Sequence, residues 1–450
     1  MQQIETAFRI SAQPVPAETA FRGAFVYASN ILRVREAFGQ SVAREFIARI
    51  IGRLGASTSD PAQQIVAIGD DCLVLWLRPD EGATEHVLEN LMVLGGTEPI
   101  CIDGHDLVPA LHAGWTELRA AAPRPLSADE SSYVLYASAS CSALHVGMWR
   151  GHAERFRSDM QIAASVARMY AADGVDCEWQ GVVSPYSPLS ILYWRGVPRP
   201  SKEIIDVHVA SHEVFMLSLE RLGLTRLADR AQALRVFGRL LEDPSLRLAC
   251  RISSMSVRHD SYWSQLFALL KAHPSAAGRF TLEISGRTAL PSLEDARAFC
   301  EAIRQRGARI AMAGFGSGPV NLEGLQACGP QTLLLDESFV VRSRHNQDAA
   351  RTLRDMIRIC SHLAEQIVVA GVENERDYSN ALRAGARWTC GRFVNGPSAD
   401  PAQTHARKGE ETWSASDSPF SVRGMPARRT PRAEGACHAT PAVIPWGFAG

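Results

Sequence analysis

The sequence lacks the features that mark several common classes of protein. Its formal net charge is -1, so it offers no broad basic surface to nucleic acid. No uncharged apolar run approaches the roughly 18 residues that cross a bilayer, and the first residues contain no apolar core of signal-peptide length. We therefore expect a cytoplasmic protein with no nucleic-acid partner and no membrane segment.

Metal and hydrolase motifs are also missing. The 10 cysteines form no CxxC pair and no clustered spacing, which favours buried, reduced thiols over a disulfide framework or a zinc site. His208 and His212 are spaced to share a helix face as metal ligands, but no third ligand is identifiable nearby, and surface or core histidines are the alternative. GxSxG, Walker and HExxH motifs are absent. The sequence thus predicts no metal and no cofactor.

The composition is that of a globular chain of 450 residues, with 46% hydrophobic and 21% charged residues and room for two or three domains. Residues 1–20 read as a loose extension. Residues 21–146 follow the order strand, helix, hairpin, helix, strand, which predicts a mixed α/β domain. Residues 400–450 are rich in Pro, Ser, Arg and Gly and predict a disordered tail.

Residues 150–399 alternate short apolar runs with amphipathic stretches. This alternation predicts parallel strands covered by helices, either as an open doubly wound sheet or as a closed barrel. The run Ile310 to Ala313 ends at Gly314, Gly316 and Gly318, which indicates a strand followed by a loop of unusual backbone angles. The GFGSGP segment has Pro319 where a dinucleotide-binding loop needs glycine, so loop geometry is the preferred interpretation.

Three acidic residues stand at the ends of predicted strands, where barrel enzymes place catalytic groups: Glu283, Asp336 and Glu373. Each taken alone is more simply a helix cap or a loop contact. Three at equivalent places predict a functional face.

Several segments of this half together resemble the EAL domain, the bacterial cyclic-di-GMP phosphodiesterase family. They are WQGVV (179–183), FTLEIS (280–285), AGFGSG (313–318), LLLDESFV (333–340), VVAGVEN (368–374) and CGRFVNGP (390–397). Residues 21 to about 145 are similar to the GGDEF diguanylate cyclase domain, with IGDDC (68–72) in its signature turn. The resemblance implies a GGDEF-like domain with a ferredoxin-like core, followed by a TIM-type (β/α)8 barrel.

The resembled family holds two divalent cations with several carboxylates and an Asn. By this resemblance the residues at its chemical positions are Leu189 (the signature Glu), Arg251, Ala313, Gly314, Leu334, Ala370, Cys390, Tyr193 (the dinucleotide-contacting Arg) and Glu283. Glu283 alone keeps a metal-binding residue. We also expect the Arg251 guanidinium to repel a cation and to pair with Glu283 across adjacent strand ends.

The cyclase positions are similarly changed, with Tyr27 in place of a metal-binding Asp and Arg35 in place of a guanine-binding Asn, which predicts no cyclase activity. The leading hypothesis is a catalytically inactive regulatory protein that acts through a protein partner. The alternatives are a non-hydrolysing cyclic-di-GMP receptor and, last, a weak phosphodiesterase. The candidate ligand-binding residues are Gln180, Arg251, Glu283, Phe315, Gly316, Asp336, Glu373, Gly391 and Pro397. A homodimer is an expectation by family analogy alone.

Overall fold

The computed structural model describes residues 21–56, 65–78, 84–142, 153–172, 175–200 and 212–394. The predicted extension 1–20 and tail 400–450 lie outside these residues. In the first part, an antiparallel four-stranded sheet has the order β2-β3-β1-β6. This order, with two helical connections, is the ferredoxin-like arrangement that the resemblance to the GGDEF domain implies.

The N-terminal elements alternate as expected, with one helix that the sequence analysis did not assign. They are β1 (Phe21–Ala28), α1 (Ile31–Phe38), α2 (Gln40–Ala56), β2 (Ile65–Ile68), β3 (Cys72–Leu77), α3 (Thr84–Gly96), β4 (Ile100–Ile102), β5 (His105–Leu107), β6 (Leu111–Ala120) and the unassigned α4 (Ala128–Ser142). The turn between β4 and β5 has positive φ at Asp103 and Gly104, of 50° and 79°, the backbone angles that a tight two-residue hairpin turn requires.

The second part closes into an eight-stranded barrel of order β10-β11-β12-β13-β14-β7-β8-β9, which decides between the barrel and the open sheet. Its elements are α5 (Ala153–Ala171), β7 (Val175–Ser184), β8 (Ser187–Pro200), α6 (His212–Leu222), α7 (Thr225–Glu242), β9 (Leu248–Ser253), α8 (Ser264–Ala272), α9 (Pro274–Ala277), β10 (Phe280–Ser285), α10 (Leu293–Gln305), β11 (Arg309–Phe315), α11 (Leu322–Cys328), β12 (Thr332–Leu335), α12 (Glu337–Ser343), α13 (Gln347–Cys360), β13 (Gln366–Ala370), α14 (Glu375–Ala384) and β14 (Trp388–Cys390).

One strand departs from the all-parallel prediction. β7 runs antiparallel to both β14 and β8, and it forms a long hairpin with β8. Strand β8 was not predicted from the sequence, because prolines at 188, 198 and 200 are more typical of a loop than of a strand. The remaining strands from β8 to β14 pair in parallel, as predicted.

Side-chain caps begin several of the barrel helices. Ser292 accepts a hydrogen bond from the backbone N of Asp295 at the start of α10, and Gly307 follows that helix with φ of 88°. Asn346 and Asn374 cap α13 and α14 in the same way. These caps fix where each helix leaves the barrel mouth.

The N-terminal sheet and the barrel helices share one apolar core. Phe46 and Leu88 of the N-terminal domain lie in the same buried cluster as Phe156, Phe215 and Tyr262 of the second part. The other face of the sheet packs on α4 in a separate cluster, and a third cluster fills the barrel interior. The two halves are therefore joined by buried surface.

Candidate functional site

Glu283 is the centre of a charged cluster inside the barrel mouth. Its side chain is 1% exposed, and both of its oxygens accept hydrogen bonds from Arg195 of β8, Oε2 from Nε at 2.9 Å and Oε1 from Nη2 at 2.8 Å. Arg251 of β9 donates to the same Oε1 from Nε at 2.7 Å. The predicted ion pair between Arg251 and Glu283 is confirmed, and Arg195 is a second partner that the sequence analysis missed.

This cluster keeps the buried carboxylate ionised. Burial by itself would raise the pKa of Glu283, but the guanidinium groups of Arg195 and Arg251 outweigh burial and lower this pKa to about 2. Arg195 also donates to Gln180 Oε1 at 3.0 Å and contacts the Cys390 sulfur at 3.6 Å. Burial raises the pKa of the Cys390 thiol, so it faces the arginine as a neutral group.

A cavity of about 190 Å³ opens above this cluster at the carboxyl ends of the strands. Five of the predicted site residues line it: Gln180, Arg251, Asp336, Glu373 and Gly391. The other lining residues include Arg195, Arg287, Glu337, Ala313 and Gly314. The structure thus brings most of the predicted positions to one face of the barrel.

Two of the acidic candidates have the local roles that the simpler interpretation gave them. Asp336 caps α12 by accepting from the backbone N of Ser338 at 2.9 Å. Burial would raise the pKa of Asp336, but the hydrogen bonds from Ser338 and Ser317 outweigh burial and lower it. Glu373 accepts from Nε of the exposed Arg392 at 2.5 Å, in the loop after β14. Both carboxylates are therefore engaged by the protein.

The glycine loop after β11 has the unusual backbone angles that its sequence predicts. Gly314 and Gly316 have φ of 75° and 96°, and a Cβ atom on Gly316 would lie 2.7 Å from the ring of Phe339. Phe315, the last residue of β11, and Gly316 are not among the residues that line the mouth cavity. Pro397 and His208 lie outside the described residues, and His212 is the first residue of α6.

A second cavity, of about 350 Å³, lies beside the mouth and shares Arg251 and Arg287 with it. It is lined by Glu220 and Asp229, and burial raises the pKa of both carboxyl groups, that of Asp229 to about 7. Gln232 also lines this cavity, and its buried Oε1 has no hydrogen-bond partner. This neighbouring pocket therefore combines two carboxyl groups of raised pKa with two arginines that it shares with the mouth.

In the N-terminal domain, the turn Gly69 to Asp71 faces α1 across a cavity of about 330 Å³. Arg35 pairs with Asp70 there, with Nη1 and Oδ2 separated by 3.1 Å. Tyr27 lies on β1 in register with Cys72, next to that turn. An arginine thus engages one of the turn's two carboxylates.

Residues 200–397 match the family model of the EAL domain. This segment is an EAL domain. The two divalent cations implied by the family do not fit the residues present, because the carboxylate of Glu283 is held by two guanidinium groups. Among the described residues, no three His, Cys, Asp or Glu side chains are grouped closely enough to hold a metal ion.

Solved structures of other EAL proteins are similar to this chain. The S helix-GGDEF-EAL part of Vibrio cholerae LapD, bound to c-di-GMP, is 17% identical with a TM-score of 0.47, and the match covers 84% of this chain and 91% of that chain. The FimX EAL domain from Pseudomonas aeruginosa bound to c-di-GMP is 20% identical with a TM-score of 0.46, and the match covers 53% and 97% of the two chains. An EAL domain protein from Listeria monocytogenes is 18% identical with a TM-score of 0.45, over 55% and 96%.

No curated protein matches the chain. In the part of the chain that the structure describes, no helix has the length and apolarity that a membrane span requires.

Proposed function

We propose that this chain is a catalytically inactive EAL-domain protein that acts through a protein partner in bacterial cyclic-di-GMP signalling. The observation that carries the proposal is the pair of arginines on Glu283, the one carboxylate retained at the family's metal positions. Two fixed positive charges repel a divalent cation, and a single carboxylate already in two ion pairs has little capacity left to coordinate one.

The position of Arg195 supports the proposal further. The signature Glu of the family has to reach the same cations as Glu283, and the residue that β8 brings to Glu283 is Arg195. Leu189 belongs to the start of β8, near the turn that joins it to β7. We therefore assign the signature position to Arg195. This replaces the assignment to Leu189 that was made from the sequence. RGVPR (195–199) then corresponds to the family's EALLR, and Arg199, in place of Tyr193, occupies the position of its dinucleotide-contacting arginine.

Product analysis tests the loss of hydrolysis. The purified full chain is incubated with cyclic-di-GMP and either Mg²⁺ or Mn²⁺, beside an active EAL phosphodiesterase as the positive control. We expect no linear dinucleotide from this chain, because no pair of cations is held to ionise the attacking water. Metal-dependent appearance of the linear product would overturn the proposal.

A second candidate function is a receptor that binds cyclic-di-GMP without cutting it. It is favoured by Arg195, Arg251, Arg287 and Gln180 around the mouth cavity, which offer donors to phosphate groups. The cavity of about 190 Å³ is smaller than the roughly 300–1,000 Å³ typical of ligand pockets, which favours the protein-partner function. Calorimetry with no heat at high-micromolar cyclic-di-GMP would dispose of the receptor.

A further inference from the structure

A buried carboxylate of the N-terminal domain is held by two elements of the barrel half. Glu89 of α3 is 1% exposed, and its Oε1 accepts from Arg230 of α7 at 3.0 Å from Nε and 2.6 Å from Nη2. Its Oε2 accepts from the backbone N of Gln265 in α8 at 3.0 Å. Breaking a buried ion pair is costly, so these bonds fix α3 against α7 and α8.

The surroundings of this pair are apolar and aromatic. Leu88 and Met92 of α3 lie in the same buried cluster as Tyr262 of the barrel half. The guanidinium groups of Arg226 and Arg230 stack over the Tyr262 ring, at 4.3 and 5.8 Å from its centroid. In this low-dielectric setting the ion pair between α3 and α7 is stronger than it would be in water.

The residue before Arg230 in α7, Asp229, is bonded to the end of strand β9. Asp229 Oδ2 accepts from the backbone N of Ser253 at 2.9 Å and from the Ser256 hydroxyl at 2.6 Å. Ser253 ends β9, the strand that carries Arg251 two residues earlier. Adjacent residues of one helix, Asp229 and Arg230, are thus tied to the end of β9 and to the N-terminal domain.

We propose that α7 couples the N-terminal domain to the barrel mouth. Glu89 is a positioning residue, because its ion pair with Arg230 holds α7 in place. Through the bonds of Asp229, a shift of α7 would move the end of β9 and with it Arg251. Binding of a partner that displaces α3 would therefore change the position of Arg251 in the arginine cluster around Glu283. The inference builds on the proposed function, because it concerns the regulation of the same site.

Hydrogen exchange on the full chain tests the coupling. Glu89→Gln is compared with Glu36→Gln, which removes an exposed ion pair to Arg33 on α1. We expect Glu89→Gln to speed exchange of the amides at 250–257 about tenfold relative to those at 366–370 on β13, which report global opening. Glu36→Gln should leave this ratio unchanged. Should Glu89→Gln not fold, Arg230→Lys keeps the charge, loses the two-nitrogen contact and is expected to act in the same direction.

A double variant separates coupling from simple destabilisation. Asp229→Ala removes the acceptor of both bonds between α7 and the end of β9, so adding Glu89→Gln in that background should speed exchange at 250–257 much less than in the native chain. Equal effects of Glu89→Gln in both backgrounds, or equal acceleration at 250–257 and 366–370, would overturn the proposal. No cyclic-di-GMP chemistry is measured, so this test and the product analysis fail independently.

Discussion

Arg195 and Glu283 form a two-point ion pair inside the barrel mouth, with N to O distances of 2.9 and 2.8 Å. The arginine is 11% exposed and the carboxylate 1%. Since the family holds cations where this pair lies, the pair fills the region with charges that neutralise each other. The mouth therefore has a fixed polar geometry in which the only buried carboxylate of the cluster is already paired with two arginines.

Removing the shared carboxylate should destabilise the fold. Glu283→Gln leaves Arg195 and Arg251 close together without their counter-charge, and breaking a buried pair costs about 3–5 kcal/mol. Urea unfolding of the native chain and the variant measures the change. Glu373→Gln is the matched control, because Glu373 pairs with an arginine that is 76% exposed, and it should leave the unfolding midpoint unchanged. Equal effects of the two substitutions would contradict the account of the cluster.

Replacing both arginines should create a cation site. Arg195→Glu with Arg251→Asn places two carboxylates and an amide at the mouth, all oxygen ligands that suit a hard divalent ion. Electron paramagnetic resonance of added Mn²⁺ should detect bound metal in this variant and none in the native chain. Arg195→Gln with Arg251→Asn adds no carboxylate and should bind Mn²⁺ far more weakly; comparable binding by the two variants would count against the charge argument.

Stability should fall as pH rises through the range set by Asp229. Burial raises its folded pKa to about 7 from an ordinary 3.8. The folded state therefore keeps a proton that the unfolded chain gives up, so the stabilisation is complete below pH 3.8 and lost by about pH 7. A shift of this size corresponds to at most about 4 kcal/mol. Asp229→Asn should flatten this slope in unfolding free energy measured between pH 4 and 7. An unchanged slope would mean that Asp229 titrates normally.

Glu283 acts in the opposite direction. Its folded pKa of about 2 lies below the ordinary 4.5, so its stabilisation is present above pH 4.5 and lost as pH falls through 2. The summed contribution of these two carboxyl groups to the free energy of unfolding should be largest near pH 4 to 5. Glu283→Gln should remove the loss on the acid side while leaving the slope assigned to Asp229, which the same titration series measures.

Gly316 should tolerate no side chain. Its φ of 96° is left-handed, and a Cβ atom would lie 2.7 Å from the Phe339 ring. Gly316→Ala should therefore cost about 1–2 kcal/mol for the backbone and a further 1–3 kcal/mol for overpacking. Gly39→Ala is matched in φ, at 97°, but its Cβ would meet nothing within 4 Å, so only the backbone cost should be seen. Similar losses in thermal unfolding would exclude the clash.

Much of the fold followed from local pattern. The alternation of apolar runs and amphipathic stretches predicted the parallel strands. The starts of α10 and α13 also depend on local sequence, because the Ser292 and Asn346 caps act through neighbouring backbone groups. One exception was β8, whose prolines resemble a loop composition, and whose partners include not only the adjacent β7 but also β9, which follows α6 and α7 in the sequence. A pattern read locally cannot supply those partners.

The sequence by itself determined which charged side chains are available, among them Glu283 and Arg251 at the ends of predicted strands, because residue identity fixes charge. Only the tertiary structure decided which residues meet. Arg195 and Glu283 are 88 positions apart in the chain, and strand register within the closed barrel brings them together. The same holds for Glu89 and Arg230, which are separated by 141 positions and joined by the buried ion pair between α3 and α7. Ion pairing depends on distance and burial, and both are properties of the folded chain.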